Sequence, residues 1–205
     1  MSGVGTTTAH AVAFGWGLSE ATWFFVVPDA WSSWVALDRP GRGMAAAGSA
    51  LAGALTGGAI VWAASRRLPA ARSEELLCRV PGIDPGMIAR AQADLERTGV
   101  RALALGPAFG VPYKIFVRGM ALQGEPLGRV LRWSVPARAG RFAAVTGGVG
   151  LLGRWARARH PEAWRRARVP IYLLGWGGQY LWYFTRGPGS GRPLPWHREA
   201  PGGGR

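Results

Sequence analysis

Phe14-Gly-Trp-Gly-Leu-Ser-Glu20-Ala-Thr-Trp-Phe-Phe-Val-Val-Pro28-Asp29 carries one carboxylate, Glu20, among aromatic and aliphatic residues, and stops at a proline. A charge at the centre of a hydrocarbon layer costs roughly 2.5–3.5 kcal/mol on insertion scales. It persists where it faces protein or water, and such residues mark pathways and sites. The run therefore predicts a membrane segment that holds a polar site and is broken at Pro28.

Outward from this run, four apolar regions alternate with basic flanks. The first covers residues 11–37 and is interrupted by Glu20 and Pro28-Asp29. Residues 44–64 follow, 21 uncharged residues between Arg39/Arg42 and Arg66/Arg67. About 20 apolar residues suffice to cross a bilayer, so this is the surest span. Its Gly53-Ala-Leu-Thr-Gly57 spacing suits close helix approach, although an Ala/Gly-rich segment produces the pattern by composition alone. The polar stretch beyond it contains one clear helix, 84–98. Asp84 is its N-cap, Pro85 its first residue, Gly99 its stop, and Ile88, Ala91 and Leu95 form one face. An interfacial amphipathic helix is expected there.

The third region, 100–122, includes Leu105-Gly-Pro-Ala-Phe-Gly-Val-Pro-Tyr-Lys-Ile-Phe-Val-Arg118. Pro107 and Pro112, with Gly106 and Gly110, rule out a straight helix. Broken backbone at membrane depth is tolerated where it is buried in protein or lines a watery cavity, which predicts a re-entrant hairpin. A helix restarting at Pro136 gives a span over 136–155, with Arg138 and Arg141 in its first turns. An arginine-rich loop leads to a last span, 169–185, whose Tyr172, Tyr180, Trp182 and Tyr183 suggest an interfacial belt. The tail, 186–205, is rich in Gly and Pro and is expected to be disordered.

Each half of the chain thus reads as a broken segment followed by a full span. Two broken segments in matching positions are a sequence pointer to a transporter-type site near the midplane. The expected fold is an all-α integral membrane protein of three to five spans, two Pro/Gly-broken hairpins and one interfacial helix, forming a single membrane domain over 1–185. The positive-inside rule leaves orientation open. Five simple crossings put 66–97 and 154–168 on one face, whereas two re-entrant hairpins put them on opposite faces.

Composition narrows the partners. Of 25 basic residues, 24 are arginine, and the net charge is +14. Such an excess attracts nucleic acid or anionic lipid. The arginines flank apolar segments, a snorkelling pattern that favours anionic lipid and argues against nucleic acid. The single cysteine, Cys78, excludes an internal disulfide and a cysteine-based zinc site. His10, His160 and His197 lie far apart, so no metal and no cofactor is expected. Residues 1–10 lack the basic stretch of a secretory signal, so the first apolar run is expected to be retained.

On Glu20 with Pro28-Asp29, the Gly106–Lys114 break and Arg118-Gly-Met-Ala-Leu-Gln-Gly, residues 14–152 resemble the DedA family, the VTT or SNARE-associated Golgi protein superfamily. The resemblance implies a multi-pass inner-membrane protein with two facing re-entrant hairpins. It implies movement of a polyprenyl phosphate or phospholipid across the bilayer, proton-dependent in some members, and makes Glu20 and Asp29 the functional acids. The family's second hairpin carries Arg, two residues, Pro, two residues, Arg. Here Lys114 stands in for the second arginine and nothing matches the first, and a lysine is a point charge rather than a bidentate fork.

The candidate site is therefore Glu20 and Asp29 for proton coupling or substrate sensing. Lys114, Arg118, Arg138 and Arg141 are the candidates for an anionic headgroup, and Pro28, Pro107 and Pro112 mark the breaks. Bland readings stand beside each: Glu20 as a helix cap, Asp29 as a turn residue, Lys114 paired with Glu20, Arg138 and Arg141 snorkelling, Tyr113 packing. The leading function is transport of a lipid-linked phosphate rather than catalysis. The alternative is a non-catalytic accessory subunit with membrane-protein partners, or a homodimer. A lipid-phosphate enzyme ranks lower, because no metal-ligand or Ser/His/Asp constellation appears.

Overall fold

A computed structural model describes residues 5–191 of the chain. Every regular element among them is helical: α1 (Thr6–Thr22), α2 (Asp29–Asp38), α3 (Pro40–Arg67), α4 (Ala70–Cys78), α5 (Pro85–Thr98), α6 (Arg101–Ala108), α7 (Tyr113–Leu122), α8 (Leu127–Arg159) and α9 (Pro161–Thr185), then a 3-10 turn, Pro188–Ser190. Residues 192–205 of the expected disordered tail lie outside the described residues. The turn before them seats Pro188 against Gly110.

The first break occupies residues 23–28. Pro28 disfavours helical backbone at Val27, so α1 cannot continue into α2. Its last turn closes on itself, with the N–H groups of Trp23 and Phe24 both donating to the Ser19 carbonyl. α1 then packs along α3 at very short range. A Cβ on Gly53 would lie 2.0 Å from the Phe14 carbonyl oxygen, and one on Gly57 would lie 2.7 Å from the Ala21 methyl. The small-residue spacing of α3 is used inside the chain, against α1.

The second break is made locally. Gly110 has φ +89°, a left-handed conformation that L side chains resist. The Val111 N–H turns back to the Gly106 carbonyl at 3.0 Å, and Pro112 opens α7. α7 is the centre of the core: Tyr113, Ile115, Phe116, Val117 and Met120 are buried among residues of α3, α5, α6 and α8. α5 is capped by Asp84, whose Oδ1 accepts from the Met87 N–H at 2.9 Å, and it buries Met87, Ile88, Ala91 and Leu95.

Three sequence expectations change. The polar stretch after α3 holds two helices, since α4 precedes α5. α8 runs through Pro136 without restarting. Val130, Ser134, Arg138, Phe142, Thr146 and Gly150, four residues apart, form one buried stripe on both sides of the proline. Packing of that stripe holds the helix together across one lost hydrogen bond. The arginine-rich stretch 154–168 is helical except at His160, because arginine and alanine are good helix formers. The expected spans 136–155 and 169–185 are therefore parts of longer helices.

Among the described residues, α3 is the one helix long and apolar enough to cross a membrane. α8 and α9, with 33 and 25 residues, have the length; α8 carries arginines in both halves, and the three arginines of α9 all precede its uncharged stretch 169–185.

Candidate functional site

The two breaks meet. Lys114, at the start of α7 and 1% exposed, donates from Nζ to the Phe24 carbonyl in the first break at 2.6 Å. Arg141 of α8 reaches the Pro107 carbonyl at the second break at 3.4 Å. The same guanidinium donates from Nε to Asp29 Oδ2 at 3.1 Å, and its Nη2 bonds that oxygen as well. Arg138, one turn earlier on α8, donates from Nη2 to Glu20 Oε2.

An unbroken helix from Glu20 to Asp29 would place the two carboxylates on opposite faces, nine residues apart at 3.6 per turn. The break turns both toward one face of α8, where each takes its own arginine. Arg138 also stacks over the Tyr113 ring, 4.5 Å from its centre, and lies 5.1 Å from that of Phe142. The Tyr113 hydroxyl donates to Ser134 Oγ at 2.8 Å, which in turn donates to the Val130 carbonyl at 2.7 Å. Beside the cluster, Ser32 and Thr146 share a buried hydrogen bond of 2.8 Å that fixes α2 against α8.

Ion pairs this deep lose most of their attraction to desolvation. Removing one partner costs about 3–5 kcal/mol, whereas replacing both can be neutral. Glu20 is 6% exposed, Asp29 1% and Arg138 3%. Three cations (Lys114, Arg138, Arg141) face two carboxylates, which leaves one formal positive charge. Lys114 has no carboxylate within ion-pair distance among the described residues. Two polar atoms of the cluster, Asp29 Oδ1 and Arg138 Nε, are buried without a hydrogen-bond partner. The result is a buried charged cluster with two unmet polar atoms.

A half-enclosed cavity of about 820 Å³ opens from this cluster. One wall carries Glu20, Asp29, Lys114, Arg138 and Arg141; the facing wall is α9, with Ile171, Tyr172, Gly175, Trp176, Tyr180 and Tyr183. α9 is pinned to the first break by its tyrosines. The Val27 N–H donates to the Tyr180 hydroxyl at 2.8 Å, and the Tyr172 hydroxyl donates to the Ala30 carbonyl. Of these tyrosines, expected as part of an interfacial belt, Tyr180 meets an amide that the break leaves without a helical partner, and Tyr172 ties α9 to the first turn of α2.

Arg118 does not join the cluster. One turn beyond Lys114, it points the other way and ties α7 to α4. Its Nε donates to Ser73 Oγ at 2.8 Å, and its Nη2 to the Ala70 carbonyl at 2.9 Å and to Glu74 at 3.2 Å. Pro28, Pro107 and Pro112 flank the breaks as expected from their ring chemistry. No group of three or more His, Cys, Asp or Glu side chains among the described residues is arranged to hold a metal ion.

Sequence reasoning missed the α9 wall and Ser134. The four-residue repeat of α8 could have found Ser134, since it shares a stripe with Arg138 and Phe142. No family model, curated protein or solved structure matches the chain at a significant level.

Proposed function

We propose that the chain is a DedA-like membrane transporter that moves a lipid-linked phosphate, a polyprenyl phosphate or a phospholipid, across an inner membrane. The observation that carries this reading is the cavity with a net-positive buried cluster on one wall and an apolar aromatic wall opposite. A phosphate needs the first and a lipid chain the second.

The outer surface supports a lipid environment. Leu151 is 65% exposed, Leu174 74% and Leu181 67%, beside Ile60 and Leu173 on the same three long helices. A protein surrounded by water rarely presents apolar patches of that extent. α3 is long and apolar enough for a full span, and the helix breaks would then be backbone buried in protein at membrane depth.

In the mechanism, the phosphate exchanges with the carboxylates. Arg138 and Arg141 are held by Glu20 and Asp29, and a guanidinium binds phosphate oxygens with the same fork. Protonating a carboxylate frees its arginine, so proton binding and phosphate binding are coupled at one residue pair. Alternating exposure of the cavity would carry the headgroup between the two faces.

Lipid-phosphate flux in proteoliposomes at two pH values, wild type against Glu20→Gln, tests the reading. A flux that depends on pH in the wild type and loses that dependence in the variant is expected. Equal flux in both, or none above empty vesicles, overturns the carboxylate mechanism and favours an accessory-subunit role.

A further inference from the structure

The cavity has a second polar end. It follows α2 from Asp29 to Leu37, about 12 Å of helix at 1.5 Å per residue. At that far end Leu152, Trp164 and Arg168 line it. This mouth lies at the corner between α8 and α9, where six arginines fall between residues 154 and 168. Arg154, Arg159, Arg165 and Arg166 are exposed. Arg168 instead pairs with Asp38, at the end of α2. Arg157 lies 3.9 Å from the same carboxylate and donates to the Leu37 carbonyl. Trp164 is the buried residue of α9, and its indole Nε1 is enclosed without any acceptor.

Two guanidiniums therefore share one half-exposed carboxylate beside a buried N–H that has no partner. None of these groups belongs to the cluster at the breaks. We propose that this mouth is a second anion subsite, which takes the phosphate group of an amphipathic ligand before that group reaches Arg138 and Arg141. Arg168 and Arg157 hold the phosphate oxygens, the Trp164 N–H donates to a further oxygen, and Asp38 is the carboxylate that the phosphate displaces. A phosphate suits the site because it offers several acceptor oxygens and enough charge to offset two guanidiniums. The apolar face of α9 runs between the two subsites, so a lipid chain keeps its contacts while the headgroup moves. The inference rests on the lipid-phosphate reading and adds a second position to it.

The test uses the full chain, labelled with 15N-tryptophan, in zwitterionic detergent micelles, with Trp164→Phe identifying the Trp164 indole resonance. Dioctanoyl phosphatidic acid is titrated in, with dioctanoylglycerol as the phosphate-free control and inorganic phosphate as a third arm. The Trp164 N–H is expected to shift downfield with phosphatidic acid and not with dioctanoylglycerol. Arg168→Gln should weaken the apparent affinity about tenfold, the loss of one charged hydrogen-bonding partner. Asp38→Asn should strengthen it by about threefold, since a competing carboxylate at the surface is gone. That gain cannot come from misfolding.

A response to inorganic phosphate as well means that the headgroup alone is recognised; a response to phosphatidic acid alone means that the chain is needed to deliver it. Both support the subsite. A Trp164 signal that stays still at saturating phosphatidic acid, that moves equally with dioctanoylglycerol, or that ignores Arg168→Gln and Asp38→Asn overturns it. So does loss of the response in Arg141→Gln, which would mean a single site. A silent Trp164 with carboxylate-dependent flux intact removes the subsite and leaves the transporter reading. A responsive Trp164 without flux does the reverse.

Discussion

The two helix breaks reach similar shapes by different means. The second, at residues 109–112, is written into its own residues: Gly110 takes the left-handed turn, Pro112 restarts the helix, and the Val111 amide returns to the neighbouring Gly106 carbonyl. The first, at 23–28, contains no glycine and depends on distant partners. The Phe24 carbonyl is met by Lys114, the Val26 carbonyl by the Trp16 indole at 3.0 Å, and the Val27 amide by Tyr180. A locally encoded break is a fixed feature. A break held from three sides changes when any of its partners moves, and this is the one flanked by both carboxylates. In the proposed mechanism the second break is therefore the frame, and the first the part that would respond to ligand or proton.

The largest effect is expected where the first break meets α8. Arg138→Ala leaves Glu20 buried without its cation and should cost about 3–5 kcal/mol. The double variant Glu20→Gln/Arg138→Met removes both charges and should recover most of that loss. Cys78 offers the readout, as a thiol-reactive dye reports its exposure during thermal unfolding. Partial burial raises the Cys78 thiol above its ordinary value, which lowers its thiolate fraction in the folded chain. A single variant no less stable than one at the exposed Arg66 would remove the claim that the pair is buried and coupled.

This asymmetry also explains what could be read from sequence. Pro107, Gly110 and Pro112 act within a few residues of themselves, so the second break was legible, as were Pro28, α3 and the Asp84-capped α5. Glu20 and Asp29 stood out because a carboxylate in an apolar run needs a partner. The identity of that partner was not legible. Arg138 and Arg141 lie 118 and 112 residues from their acids, and helical spacing alone gave no reason to prefer them over Arg118. Lys114 and Arg118 share a face by spacing, yet one turns into the cavity and the other toward Ser73 and Glu74 on α4. That choice depends on where α4 packs, and α4 has no strong sequence signal of its own. α9 was read as a short span because its first half is basic. Its role as a cavity wall comes from two tyrosine hydroxyls, one meeting the Val27 amide, which is free only because the first break exists, and the other the Ala30 carbonyl in α2.

Gly110→Ala should have an intermediate effect. At φ +89° an L residue is disfavoured by about 1–2 kcal/mol, and the added methyl would approach Pro188 Cγ at 3.2 Å. The loss should appear in thermal stability while flux per folded molecule is retained, because no charged residue is displaced. Flux that collapses while stability holds would mean that the second break moves too, and the division into frame and responsive part would fail.

The smallest stability effect, and the sharpest contrast, is expected from Tyr180→Phe. The ring and its apolar contacts stay, and only the hydroxyl that accepts from the Val27 amide is lost. An amide left without its partner costs about 1 kcal/mol when water can reach it in part, as at the half-buried Val27. Tyr183→Phe is the matched control. Tyr183 lines the same cavity, but its hydroxyl makes no hydrogen bond among the described residues, so its removal should leave stability unchanged. If the first break is held from outside, Tyr180→Phe should also speed hydrogen exchange at Val27 and the neighbouring Phe25 and Val26 amides, with the 109–112 amides unaffected. Faster exchange at both breaks would mean that they open together as one unit. No change at either would mean that the first break, like the second, is held by its own residues.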